Sequence, residues 1–90
     1  MPTIRHLCDG NEYRFDTVTG QVRNNYGTVR AVAKLTTPNV ACLFPARIDG
    51  TADTDVYHDG IVTGRSSAPI SEANLAKFAI GYTAAYFSER

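Results

Sequence analysis

The chain has 90 residues, a formal net charge of zero at pH 7, and 43% apolar and 20% charged residues. This composition is ordinary for a globular protein, and we expect residues 1–90 to form a single domain. A run of about 18 apolar residues, which a membrane-spanning helix needs, is absent, and the balanced charge argues against a general binder of polyanions.

The first predicted element is a hairpin. Residues 3–8 and 12–16 alternate between apolar and polar side chains, on either side of an Asp-Gly pair that favours a tight turn. The two common turn positions pair His6 with either Tyr13 or Phe15, and both keep the same apolar side chains inward. The sequence therefore predicts the buried face of this hairpin and leaves its register open.

A short strand is predicted at residues 21–23, followed by a turn. Residues 28–35 fit a strand better than a helix because they alternate and contain valines. As a strand, this segment would direct alternate apolar residues inward and Arg30 and Lys34 outward. A helix, with a different set of residues on one side, is the alternative for this segment.

The next segments are a buried strand and a second hairpin. Residues 40–44 are apolar at every position, which is typical of a central strand covered on both faces, and Pro45 ends the run. A second Asp-Gly pair predicts a hairpin between residues 56–58 and 61–63.

The last twenty residues, 71–90, are predicted to form the one long helix, with Ser71 as its N-cap. One apolar stripe at helical spacing contains Leu75, Phe78, Ala79, Tyr82, Ala85 and Tyr86. A second stripe lies beside it and contains Ala73, Ala76, Ile80, Ala84 and Phe87. Because one stripe is enough to pack a helix on a sheet, the second predicts a sheet that wraps the helix, an interface, or a ligand pocket.

The order of elements predicts an α+β fold, with an antiparallel sheet of about five to seven short strands and one C-terminal helix packed on one face. The N-terminus, Met1–Gly10, lacks the apolar core of a secretory signal. We therefore expect a cytoplasmic protein in which Cys8 and Cys42 are reduced.

Four residues have the right chemistry for a zinc site: His6, Cys8, Cys42 and His58. They come from three distant segments and lack the close Cys-x₂-Cys spacing of structural zinc sites. The sequence also lacks a specific catalytic motif and a phosphate-binding glycine pattern. We therefore expect no metal site, no cofactor and no enzymatic activity.

Charge is unevenly distributed along the chain. Residues 14–47 hold five basic residues and one acid, whereas residues 49–59 hold four acids and no lysine or arginine. Basic side chains on predicted strands can form a nucleic-acid-binding face. The candidates for such a face are Arg14, Arg23, Arg30 and Lys34.

The leading hypothesis is a small non-catalytic interaction module that binds a protein partner or a second copy of itself. Its predicted partner-binding residues come from the second helical stripe and the acidic loop, and they are Ile80, Phe87, Ala76, Ala84, Asp49, Asp53 and Asp55. Inhibitors, adaptors and accessory proteins are often of this size, including those carried by phages, although this last analogy rests on no residue. The alternative hypothesis is a nucleic-acid-binding module that uses a basic sheet face.

Overall fold

The computed structural model describes residues 3–8, 10–55 and 58–87. Within these ranges, six antiparallel strands form one curled sheet, a half-barrel, and a C-terminal helix packs against it. The elements are β1 (Thr3–Cys8), β2 (Asn11–Asp16), β3 (Gln21–Arg23), β4 (Val29–Thr37), β5 (Val40–Pro45), β6 (Ile61–Arg65) and α1 (Glu72–Phe87). The strands are adjacent in chain order, β1 to β6, and the predicted α+β fold is confirmed.

The first hairpin adopts the register predicted for a turn at the Asp-Gly pair. His6 pairs with Tyr13, and Cys8 pairs with Asn11. Tyr13 and Phe15 are buried in the core cluster, so the predicted inward face is confirmed. We call the sheet side that packs against α1 the inner face, and the opposite side the outer face.

A tight turn joins β2 to β3, and Asp16 and Gly20 close it. The Asp16 carboxylate accepts hydrogen bonds from the amides of Val18 and Thr19, at 2.8 and 3.2 Å. Gly20 has a φ of +78°, and a Cβ at this position would collide with the carbonyl oxygen of Ala33. Glycine is therefore required here by both its backbone angle and the close approach of β4.

The predicted strand at residues 28–35 is confirmed as β4, but two of its residues face the opposite way to the prediction: Val29, expected inward, pairs with Arg23 on the outer face, and Arg30 is turned inward. The pairing of β3 with β4 shifts between Val22 and Arg23, which leaves Arg30 as an extra residue in β4. Such a bulge interrupts the alternation of side chains between the two faces. Arg30, expected on the outer face, instead lies with its guanidinium carbon 4.4 Å from the ring centroid of Phe87 on α1.

Strand β5 is covered on both faces, as its unbroken apolar sequence predicts. Leu43 belongs to the inner core with the helix residues, while Cys42 and Phe44 are buried on the outer face. On the outer face, Gly60 lies against the Phe44 ring. A Cβ on Gly60 would lie only 2.8 Å from this ring, so the position has no room for a side chain. Of the predicted second hairpin, residues 61–63 lie in β6, which pairs with β5. Residues 56–57 lie outside the described residues, and His58, predicted in a strand, lies in a turn.

The helix begins where the sequence predicts. The Ser71 hydroxyl accepts a hydrogen bond from the amide of Asn74, at 3.2 Å, which is the geometry of an N-cap. Helix α1 is described as far as Phe87, and the predicted residues 88–90 lie outside the described range. No helix in the described ranges is both long and apolar enough to cross a bilayer.

Much of the second apolar stripe lies in the packing face of the helix, together with Ala79 of the first stripe. Ala76, Ile80 and Ala84 are 0, 2 and 4% exposed and belong to the inner core. The expectation that these three side chains form an accessible partner surface is therefore wrong. The reason is the curl of the sheet: all six strands contact α1, so the helix needs a wider apolar face than a flat sheet would require.

Candidate functional site

Three arginines from neighbouring strands lie side by side on the outer face. Arg5 pairs with Arg14 across β1 and β2, and Arg14 pairs with Arg23 across β2 and β3. We call Arg5, Arg14 and Arg23 the arginine row. Residues directly opposed in an antiparallel pair have Cα atoms only about 4.5–5.5 Å apart, and like charges in this position destabilise a sheet.

Local contacts orient the arginine row without neutralising it. One carboxylate oxygen of Glu12 lies 3.8 Å from Nε of Arg5 and 3.4 Å from Nε of Arg14. Arg23 donates a hydrogen bond from Nη1 to the carbonyl of Gly27, at 2.8 Å. The Arg5 and Arg14 side chains are more than half exposed, so these ion pairs offset little of the repulsion. Each guanidinium has five N–H donors, and these contacts use few of them.

Two grooves meet at the arginine row. The larger, about 500 Å³, is lined by Thr3, Arg5, Arg14, Asp16, Gln21 and Arg23. The smaller, about 280 Å³, is lined by Gln21, Arg23, Thr28, Val29, Ile48, Asp49 and Gly50. Gln21 and Arg23 line both, so the grooves are neighbours on the outer face. The Gln21 side-chain amide donates to the Gly50 carbonyl, at 3.1 Å, and this contact holds the loop after β5 beside the row.

Carboxylates flank the basic centre of these grooves. The amides of Val18 and Thr19 donate to the Asp16 carboxylate and hold its pKa below the usual 3.8. Beside the smaller groove, the hydroxyl and amide of Thr51 donate to the Asp49 carboxylate and lower its pKa in the same way. Both groups are ionised at neutral pH, so the positive charge of the row is local and does not extend along the whole surface.

Large apolar side chains are exposed around the row. Leu7 is 78% exposed on β1, in register with Glu12, and Tyr26 is 82% exposed in the turn that follows Arg23. Ile48 is fully exposed and lines the smaller groove. Arginine and tyrosine are enriched in protein interfaces, and exposed apolar groups beside them are typical of such surfaces. The outer face therefore has the composition of a binding surface.

The structure separates the four arginines and lysines predicted to form a basic face. Arg14 and Arg23 are adjacent in the row, whereas Arg30 lies on the inner side against Phe87. Lys34 is on β4, with its Nζ 5.6 Å from the Phe44 ring centroid, away from the row. Arg5 was missed, although the register with a loop at residues 9–10 places it directly opposite Arg14.

The acidic loop and the last helix residue also have defined surroundings. Asp55 pairs with Arg47, at 2.8 Å, and its amide donates to the Asp53 carboxylate, at 3.2 Å. Asp49 lines the smaller groove. Phe87 is partly buried and packs against Arg30. Of the predicted partner-binding residues, Asp49 is the one that lies beside the arginine row.

The zinc candidates do not converge in the described part of the chain. His6 and Cys8 lie on the inner side of β1, whereas Cys42 lies on the outer side of β5. Among the described residues, no three His, Cys, Asp or Glu side chains are placed to hold one metal ion. Cys8 and Cys42 are both free thiols.

Comparisons with protein-family models, curated proteins and solved structures found no significant match to this chain.

Proposed function

We propose that this protein is a non-catalytic interaction module that binds a protein partner through the outer face of its sheet. The observation that carries the proposal is the direct opposition of Arg5, Arg14 and Arg23 on three adjacent strands. Such a row destabilises the isolated sheet. A partner with negative groups would remove that repulsion on binding, and opposite charges across an interface favour association and fix its register.

The surroundings of the row favour a protein as the partner. Leu7, Tyr26 and Ile48 are exposed large apolar side chains near the basic centre, and burying them would supply the apolar part of an interface. The flanking carboxylates of Asp16 and Asp49 suit a partner surface of mixed charge. In this role the protein would act in the cytoplasm as an inhibitor, adaptor or accessory protein.

A comparison of three forms of the full chain tests this proposal. Tagged wild type, Arg14→Glu and Arg65→Glu would be used to capture partners from an extract of the source organism. Arg65 is exposed on β6, at the opposite edge of the sheet from β1. Its replacement by glutamate makes the same change of charge away from the row. We expect a protein that both wild type and Arg65→Glu retain and Arg14→Glu loses. Equal retention by all three forms would show that the row is not the binding site.

Single-stranded nucleic acid is a second candidate ligand for the same face. The observation that favours it is the position of Tyr26, exposed in a turn beside Arg23, because aromatic rings next to cationic groups stack exposed bases. Fluorescence anisotropy with a labelled oligothymidine tests it. Three phosphate contacts would give a slope of about −2 in a plot of log K against log salt concentration, and no binding at low salt would remove this candidate.

A further inference from the structure

Building on the proposed function, we infer that the outer face recognises a short extended segment of its partner, in which one or two carboxylates are followed by an apolar side chain. The carboxylates would bind at the arginine row and the apolar side chain would enter the adjoining groove beside Val29 and Ile48. Three features of the surface favour such a segment: the width of the row, the apolar wall beside it and the acids around it.

The width of the row suits one or two carboxylates. Neighbouring strands are about 4.8 Å apart, so three adjacent strands place the outermost arginines about 10 Å from each other. A carboxylate accepts two parallel hydrogen bonds from one guanidinium. Arg14, with a like charge on either side, is the position where a bound carboxylate removes the most repulsion.

The adjoining groove supplies an apolar contact next to this charge. Val29 and Ile48 both line it, and Gln21 and Arg23 line it together with the larger groove. The loop that carries Ile48 is tied to the sheet, because the Gln21 side-chain amide donates to the Gly50 carbonyl and a Cβ on Gly50 would lie only 3.5 Å from Val29. A segment that lies across the row can therefore place an apolar side chain against Ile48.

The acids around the row disfavour a longer polyanion. A chain of phosphates that continued from the row into the smaller groove would meet the carboxylate of Asp49, and Asp16 flanks the row in the larger groove. Within the row, Glu12 contacts Arg5 and Arg14, which leaves Arg23 and the remaining donors of Arg14 for a bound carboxylate. Negative charge is thus favourable at the row and unfavourable beyond it, which suits a peptide with a local acidic group.

Titration of the ¹⁵N-labelled full chain with four probes tests the inference by NMR. The first probe is an eight-residue blocked peptide with two adjacent glutamates followed by two leucines. The second has glutamines in place of glutamates, the third has serines in place of leucines, and the fourth is oligothymidine. We expect the first peptide to shift the Nε resonances of the row, the Gln21 side-chain amide and the Ile48 amide, and to bind at least tenfold more tightly than each of the others.

Two variants separate the parts of the site. Arg14→Gln should weaken binding of the first peptide at least tenfold, and Arg65→Gln, remote from the row, should leave it unchanged. Ile48→Ser should weaken binding of the first peptide and leave binding of the third peptide, in which serines replace the leucines, unchanged. Equal binding of the first and second peptides, or of the first and third, would overturn the inference.

The remaining outcomes distinguish this inference from the proposed function. If oligothymidine binds more tightly than the first peptide, the row recognises nucleic acid, and both the inference and the protein-binding proposal are wrong. If no peptide shifts the resonances of the row, but Arg14→Glu still loses a captured protein that Arg65→Glu retains, the proposed function stands. The inference that the partner segment is acidic and apolar is then wrong.

Discussion

Arg14 and Arg23 lie directly opposite each other across β2 and β3, with both side chains on the outer face. Because Arg14 also faces Arg5, replacing it with glutamate turns a row of three like charges into an alternating one. We expect Arg14→Glu to raise the free energy of unfolding by about 0.5 kcal/mol at low salt, measured by urea denaturation. The same change should abolish partner binding, so stability and function would move in opposite directions.

Salt and a control variant identify the cause of this gain. At about 1 M salt the Debye length is only about 3 Å. The difference in the free energy of unfolding between Arg14→Glu and wild type should therefore be smaller than at low salt. Arg65→Glu, which makes the same change of net charge on β6, should alter stability by less. Arg14→Gln removes the charge without placing a second acid beside Glu12, and a loss of stability in this variant at low salt would show that the row is not a site of repulsion.

Packing of the helix on the sheet edge depends on Gly64. A Cβ at this position would lie 2.7–2.8 Å from ring carbons of Phe78 on α1. Gly64→Ala should therefore cost about 1–3 kcal/mol of stability through overpacking, measured by chemical denaturation. Combining it with Phe78→Leu should recover part of that loss, because the two residues are in contact and their effects are not additive.

Replacing a different glycine, Gly81, with alanine should raise the stability of the protein instead of lowering it. Gly81 lies on an exposed part of α1, and a Cβ there meets no atom within 4 Å. Gly81→Ala should stabilise the protein by about 0.5–1 kcal/mol, because alanine has the higher helix propensity. If both variants were destabilised equally, the difference in packing between the two sites would be contradicted.

Ile80 holds the helix to the sheet. It is 2% exposed, so Ile80→Ala should lower the free energy of unfolding by about 2–5 kcal/mol, and Ile80→Asp should unfold the chain. Ala73 belongs to the same stripe in sequence but is exposed in the first turn of α1. Ala73→Asp should leave the far-UV circular dichroism and the melting temperature nearly unchanged. A folded Ile80→Asp variant would show that this stripe is not core.

Local patterns predict the faces of this sheet better than its geometry. The Asp-Gly pair and the alternation around it are enough to predict that Tyr13 and Phe15 point inward, and they do. They leave two registers open, and only the register with a loop at residues 9–10 brings Arg5 opposite Arg14. The arginine row could not be predicted, because the two registers differ by two residues and keep the same side chains inward, so alternation does not distinguish them.

The other errors come from curvature. The bulge that turns Arg30 inward accompanies a bend in the sheet and follows no alternation rule. The width of the helical stripe was ambiguous for the same reason, since the burial of Ala76 and Ile80 depends on how far the sheet wraps α1. Both features arise from contacts between segments that are distant in sequence. The spacing of residues within one element does not predict such contacts.

The turn after β2 should make stability depend on pH through Asp16. Its carboxylate accepts hydrogen bonds from the amides of Val18 and Thr19, and these hold its pKa below the usual 3.8. Because the folded state prefers the ionised form, the stabilisation is fully present above pH 3.8 and is lost as the pH falls through the lowered pKa. Asp16→Asn should therefore be less stable than wild type at neutral pH, and the gap should narrow in acid. Urea denaturation of both forms across that range measures the gap, and a gap that stays constant below pH 3.8 would contradict the role of the charged carboxylate.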